Sequence, residues 1–275
     1  GNVKDSNPSV VVPQNDKDKA RWKSIPTEIA GVKKRLENRR RDSRPDFNEW
    51  VRTTQPGQLG VDPSESHLLV HAVLNDGSGS QLVVSKGPLQ KVQTAKEPTW
   101  KPDGKLGPSF VLTPETTPNL GDIADFERDQ PFSYGAWVRV PGGGTYQSVI
   151  ARMDQAADFR GWDLFTHDRN YAVHLVHSWP ENALKVVTTE NPLKPGEWQH
   201  VFVTYDGSGK PAGLQIFING RQAKTKVEVD KLNASIRTTV PVRVGQRSKD
   251  QHLVNGEVQD VRIYGRHLKS DEVRS

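Results

Sequence analysis

The sequence predicts an all-β sandwich preceded by a short N-terminal α-helical arm. Three observations carry that expectation. Residues 131–220 read as an unbroken run of short segments rich in β-branched and aromatic residues: FSYGAWVRV, QSVIARM, GWDLFTHD, YAVHLVHSW, ALKVVTTE, WQHVFVTYD and GLQIFING. Each is bounded by Gly, Pro, Asn or Asp, the punctuation of strands and hairpins. Helical periodicity is confined to residues 22–53, and 275 residues are enough for one large sandwich with a small appendage. No apolar run approaches the ~18 residues of a membrane span.

In chain order, residues 1–19 are polar, with Pro8, Pro13 and the run Asp16-Lys17-Asp18-Lys19. They read as a linker or extended arm that the three valines at 10–12 can pin. Residues 20–62 hold the helical arm and its connector. Ile29, Val32 and Leu36 fall at i, i+3 and i+7, one stripe of an amphipathic helix, and Pro26 suits its first turn. Ser43-Arg44-Pro45-Asp46 reads as the start of a second helical segment with Phe47, Trp50 and Val51 as its apolar face. Arg39, Arg40, Arg41 and Arg44 read as a solvated face in preference to a phosphate-binding patch.

Residues 63–275 make the sandwich. LLVHAVL at 68–74 is its first strand, Asn75-Asp76-Gly77-Ser78-Gly79-Ser80 a tight turn, and QLVV the next strand. Pro88, Pro98 and Pro102 break the pattern over residues 86–107, FVLT at 110–113 resumes it, and residues 119–126 enter an edge strand. After the central run, KTKVEVD, PVRVGQR and GEVQDVRIYG supply the last strands, and Ser270-Asp271-Glu272-Val273 a terminal helical turn. There is no internal repeat, so one continuous core is expected.

The net charge of +5 raises the question of a nucleic-acid partner. Residues 1–53 hold 13 Lys and Arg against 8 Asp and Glu, which accounts for the whole excess. The sandwich is therefore not a basic body, and no nucleic acid is expected on it. The absence of cysteine excludes disulfides, thiolate zinc sites and C-x-x-C-H attachment, so no haem is expected. The chain opens Gly1-Asn2-Val3-Lys4 without a leader pattern and reads as starting at an internal boundary.

AWVRV, EWQHVFVTYDGS, IFINGRQA and GEVQDVRIYGRHL, in this order and spacing, resemble the laminin-G/concanavalin A-like jelly roll over about residues 68–273. Within it, RGWDLFTHDRNYAVHLVHSWPENALKVV looks like the laminin-G-like module inserted in large exported planctomycete proteins with cytochrome-c-like domains. The resemblance implies a concanavalin A-like jelly-roll sandwich that binds glycans or proteins, often with calcium; a minority of relatives are glycosidases. It also implies an exported, periplasmic or cell-surface location. The partners implied are a polysaccharide or oligosaccharide and neighbouring domains of a parent chain.

Glycosidases of this fold present Glu-x-Asp-x-Glu on one strand face, where two carboxylates act as nucleophile and acid. Glu228-Val229-Asp230 has Leu232 at the third position, and alternation puts Glu257 and Asp260 on opposite faces. Neither builds a retaining pair from one strand. There is no H-E-x-x-H, G-x-S-x-G or Walker sequence. Asp206-Gly207-Ser208-Gly209-Lys210 lies between two strands and reads as a hairpin loop.

Trp137 and Trp198 read as core residues, Trp22 and Trp50 as helix anchors, and Trp100 stays open. Trp179 lies in Ser178-Trp179-Pro180-Glu181-Asn182, a turn between strands. It either packs across a neighbouring loop or stacks on a sugar ring. His167, His174 and His177 fall nearby. Alternation sends Val173 and Leu175 to the core and His174 outward, with His177 on the opposite face, a spacing unsuited to a shared metal. The expected saccharide site is Trp162, Asp163, His174, His177, Trp179 and Lys185, with Trp179 as the stacking ring and Asp163 and His174 orienting hydroxyls. The resemblance further implies a structural calcium joining an early loop to the last strand, here through Asp76 and Asp260; Asp76 is equally a turn former. The expected function is a non-catalytic carbohydrate-binding module. A structural or protein-interaction module is the alternative, and a glycoside hydrolase the third reading.

Overall fold

The computed structural model describes residues 15–53, 66–87, 89–142 and 146–274. The chain divides into two compact units, residues 1–62 and 63–275. In the first, α1 (Asp16–Thr53) is one continuous helix of 38 residues. Asn15 caps it, its Oδ1 accepting from the Asp18 N–H at 2.8 Å, and Asp16 and Asp18 suit the positive end of the helix dipole. The helix thus begins inside the stretch read as a linker. Pro26 and Pro45 lie within it, where neither marks a start. Ser43, expected to cap a second segment, donates back to the Arg39 carbonyl at 2.6 Å, as a mid-helix serine does. Trp22, Ile29, Val32, Leu36 and Phe47 stay about half exposed. Among the described residues no helix is long and apolar enough to cross a membrane. The readings made for residues 1–14, for the connector at 54–62 and for the side chains of Trp50 and Val51 lie outside the described residues.

The second unit begins with β1 (Leu68–Ala72), β2 (Gln81–Ser85), β3 (Leu89–Gln93), β4 (Trp100–Lys101), β5 (Ser109–Phe110) and β6 (Asn119–Gly121). The central run gives β7 (Phe132–Arg139), β8 (Ser148–Asp154), β9 (Arg160–His167), β10 (Asn170–Ser178), β11 (Asn182–Thr188), β12 (Trp198–Tyr205) and β13 (Leu214–Ile218). β14 (Arg221–Gln222), β15 (Thr225–Asp230), β16 (Val242–Val244), β17 (Glu257–Tyr264) and α2 (Ser270–Arg274) complete it. A larger sheet runs β14-β13-β12-β7-β17-β1-β2-β3 and a smaller one β15-β11-β10-β9-β8-β16-β6, with β4 and β5 paired apart. The described pairings are antiparallel, and β6 is an edge strand, as expected. This is a concanavalin A-like jelly-roll sandwich.

The inward residues of both sheets close one core, with Phe132, Tyr134, Ala136 and Val138 from β7 facing Trp162, Leu164, Val173 and Leu175 from β9 and β10. Trp162 sits at its centre. Its ring lies 4.6 Å from that of Tyr134, and its Nε1–H donates to the Ala124 carbonyl at 3.0 Å. The Tyr134 hydroxyl donates to the Asp163 carbonyl at 2.8 Å, which ties the two sheets. A ring so enclosed contributes on the order of 1.5–3 kcal/mol by burial. Trp162, expected to touch a ligand, is therefore a core residue.

Three further expectations change. Trp137 and Trp198 lie on the outer face of the larger sheet and not between the sheets, because Ala136, Val138, Val201 and Val203 take the inward positions. Lys105 covers the Trp137 ring at 4.1 Å, and Arg139 lies over Trp198 at 5.1 Å. A bulge in β17 between Gln259 and Arg262 breaks the period of two. Asp260 occupies it at φ +54°, so Glu257 and Asp260 both meet partners of the outer face, Arg139 and His71 respectively.

Candidate functional site

The outer face of the smaller sheet carries a depression of about 190 Å³. Strand register builds its floor. Asp163 on β9 pairs with Ala151 on one side and His174 on the other, and His174 pairs with Lys185 on β11. These side chains form one row across the strands. The neighbouring rows are apolar and mostly short: Met153, Gly161, Val176 and Ala183 on one side, Phe165, Ala172 and Val187 on the other. Gly161 is obligatory. At φ +132° a Cβ there would lie 1.9 Å from the Arg152 carbonyl oxygen.

The polar row is anchored by a buried ion pair. Asp163 is fully buried, and its Oδ1 accepts from the His174 Nδ1–H at 2.8 Å and the His174 backbone N–H at 3.2 Å. Its Oδ2 accepts from Arg247 through Nε at 2.8 Å and through Nη2. Burial by itself would raise the Asp163 carboxyl, but Arg247 and His174 outweigh it and hold the group below the usual carboxylate range. Burial pushes the His174 imidazole down against the pull of Asp163, so the ring is neutral. With Nδ1–H given to Asp163, the ring presents Nε2 as a lone-pair acceptor to the cavity it lines.

Aromatic rings form the walls. Trp179 is 37% exposed and meets His174 edge-on at 5.5 Å, and Phe165 meets the same imidazole at 5.9 Å. Arg247 lies over Phe165 at 4.1 Å and Phe159 at 5.5 Å. The Trp179 N–H donates to the Asp158 carbonyl at 2.9 Å, which fixes the turn that carries the ring. Lys185 sits 5.8 Å from the Trp179 ring and pairs with Glu228 at 2.8 Å. Glu228 is shared with Lys226 at 2.7 Å. Burial would raise the Glu228 carboxyl, but the two lysines bring it down to about 2. Tyr146 and His167 close the far side, with rings 5.1 Å apart.

The structure thus brings together Asp163, His174, Trp179 and Lys185. His177 goes elsewhere: its Nδ1–H donates to the Ser235 carbonyl at 2.7 Å, and its own carbonyl takes Arg160 Nε at 3.1 Å. It braces a loop and does not line the cavity. Arg247 and Gln251 were missed. They follow β16, 84 and 88 residues beyond Asp163 in the chain, and no local pattern links them to β9. Phe165, two residues on from Asp163, was legible from the same alternation that placed His174.

Asp76 and Asp260 do not fit a shared calcium ion. Asp76 Oδ1 accepts from the Val83 N–H at 3.1 Å, a turn-stabilising role. Asp260 Oδ1 is already engaged by His71 at 2.7 Å and by Arg262 at 3.0 Å, whose guanidinium takes up the charge an ion would need. Among the described residues no group of three or more His, Cys, Asp or Glu is placed to hold a metal ion.

A family profile described as the concanavalin A-like lectin/glucanases superfamily matches residues 115–274. No curated protein matches the chain. Among solved structures the chain is similar to the binding domain of Paraclostridial Mosquitocidal Protein 1, at 16% identity over 76% of this chain and 51% of that one, with a TM-score of 0.58. It is similar to the binding domain of Botulinum neurotoxin DC, solved in complex with rat synaptotagmin II, at 13% identity over 76% and 50% of the two chains, with a TM-score of 0.53. It also resembles the Botulinum neurotoxin serotype D ligand binding domain in complex with N-acetylneuraminic acid, at 14% identity over 76% and 50%, with a TM-score of 0.51. At these identities the likeness is one of fold. The chain spans about half the length of the structures it matches.

Proposed function

The chain belongs to the concanavalin A-like lectin/glucanases superfamily, and we propose that it is a carbohydrate-binding module without catalysis of its own. The observation that carries this reading is Trp179, a part-exposed ring on the rim of a cavity whose floor supplies a histidine lone pair and whose flanks supply lysine and arginine donors. A ring face with polar groups beside it suits a sugar, which has an apolar face and hydroxyl edges. The volume of about 190 Å³ lies below the ~300 Å³ at which drug-sized pockets begin and suits a small unit such as one saccharide ring.

The same geometry argues against glycoside hydrolysis. Among the described residues, those that line the cavity include no carboxylate. Asp163 is buried with all its acceptor capacity used, and Glu228 stays ionised between two lysines, so neither serves as a general acid near neutral pH. An exported parent protein of the planctomycete type, with the sandwich as one module beside other domains, belongs to the same proposal and rests on the sequence resemblance.

The test is a glycan array followed by calorimetric titration of wild type and Trp179→Ala. Loss of the ring is expected to weaken binding by about 1–3 kcal/mol, by analogy with base stacking, and to leave the melting temperature nearly unchanged. Glycan binding that ignores Trp179→Ala moves the site elsewhere. An array without hits favours a protein-interaction module.

A further inference from the structure

We infer that the saccharide taken by this cavity is anionic, with its carboxylate or sulfate ester set against Lys185 and Arg247. This rests on the carbohydrate reading above and names the class of sugar. A neutral sugar presents hydroxyl hydrogens that need acceptors, and side-chain carboxylates are the strongest ones a protein has. Among the described residues the cavity lining holds none. Asp163, the carboxylate beneath the floor, already accepts four hydrogen bonds, from His174 and Arg247. The charged groups that face the cavity are both donors, the ammonium of Lys185 and the guanidinium of Arg247 beyond its bonds to Asp163 and Gln251, and its other polar groups, Tyr146, His167, His174 and Gln251, carry no negative charge.

The charge has the matching sign. Glu228 is shared between Lys185 and Lys226, so one of the two ammonium charges stays uncompensated. Asp163 cancels Arg247 but engages only Nε and Nη2, which leaves Nη1, bonded to Gln251, with a second hydrogen for a ligand. His174 contributes one acceptor, enough to orient a single hydroxyl beside the anionic group.

The experiment titrates the full chain with oligouronates, their carboxyl-methylated counterparts, sulfated oligosaccharides and neutral oligosaccharides of matched linkage. The acidic forms are expected to bind at least about tenfold more tightly than their neutral counterparts, with affinity falling as salt rises. Whether the uronate or the sulfated arm binds identifies the anion. Lys185→Gln is expected to lose about ten- to a hundredfold in affinity for the acidic form, the scale of one hydrogen bond to a charged group, and Lys185→Arg to retain most of it. Melting curves check that both variants fold. Equal binding of matched neutral and acidic sugars overturns the inference and leaves the carbohydrate reading standing. Acidic sugars that bind Lys185→Gln as well as wild type overturn it too. No binding in any arm overturns both.

Discussion

The two outer faces of the sandwich carry the same kinds of side chain, yet they are packed differently: those of the smaller sheet surround a cavity of about 190 Å³, and those of the larger sheet lie under segments of their own chain. On the larger sheet Trp137, Trp198, His200, Arg139 and Glu257 form a set comparable to Trp179, Phe165, His174, Arg247 and Asp163 on the smaller one. The larger sheet is covered by its own chain. Lys105 lies over Trp137, and Gln259 pins that segment by accepting from the Lys105 and Leu106 N–H groups at 2.7 and 3.0 Å. Lys101 and Ser109 reach down to Glu257. Beside them Phe202, Phe217, Tyr264 and Leu268 join Val273 of α2 in a second apolar cluster. Gly135 shows the same crowding, since a Cβ there would lie 2.3 Å from the Phe202 ring. On the smaller sheet Arg247 reaches over Asp163 and Phe165, and the cavity beside it is walled by Tyr146, Phe159, Phe165 and Trp179. Composition therefore does not distinguish a binding face from a structural one; coverage does.

The largest effect expected from breaking this contrast is on stability. Arg247→Leu leaves Asp163 buried without its cation and is expected to destabilise the fold by about 3–5 kcal/mol in a denaturant titration. The equivalent change on the larger sheet, Arg139→Leu, leaves Glu257 with Lys101 and Ser109 and is expected to lose less, about 1–3 kcal/mol. Equal losses would remove the distinction between a buried carboxylate with one permanent cation and one with two.

The tryptophans sharpen the comparison next. Trp137→Ala is expected to lower stability by about 1–2 kcal/mol, because its ring is packed under Lys105, and to leave glycan affinity unchanged. Trp179→Ala is expected to do the reverse. Titration and melting of both variants with the same glycan decide the point, and weakened binding in Trp137→Ala would show that the covered face also takes ligand.

A smaller effect comes from pH. Burial lowers His174 and His167 on the smaller sheet, His200 on the larger, and also His252, below the ordinary histidine value of about 6.5. The unfolded chain then binds more protons than the folded one below that value. Stability is expected to be fully present above about pH 6.5 and to fall progressively as the pH drops below it, by up to about 1.4 kcal/mol per pH unit for each of the buried His174 and the partly buried His200 and by less for the more exposed His167 and His252, which solvent screens. His174→Gln and His200→Gln, compared over that window, separate the contributions of the two faces. Asp163 adds a further loss only below about pH 4, the ordinary aspartate value, because its folded value lies lower still.

The smallest effect expected is that of metal removal. Asp260 is paired with the Arg262 guanidinium and hydrogen-bonded to His71, so melting temperatures with and without a chelator are expected to coincide. A fall in the chelated sample would restore a calcium site at the loop that holds Asp76.

The sequence by itself determined the strands, because alternation of apolar and polar residues is a local signal of period two. That signal located β7 through β13 and sent His174 outward and Val173 and Leu175 inward. It also marked Trp179 as a ring at a turn. It failed wherever a bulge or a long-range partner sets the outcome. The bulge at Asp260 reversed a face that strict alternation assigned. Trp162 and Asp163 were taken together as ligand contacts, although neighbours in a strand point to opposite sides: Trp162 enters the core, and Asp163 lies buried beneath the cavity floor with its acceptors used by His174 and Arg247. Trp137 and Trp198 read as core because a strand's two faces are equivalent until the other sheet is placed. Only the tertiary structure brought Arg247 to Asp163 and Lys105 over Trp137. Those contacts join segments with no shared pattern, and they decide which polar row is neutralised and which aromatic face is left open, because both depend on what packs above a strand and not on the strand itself.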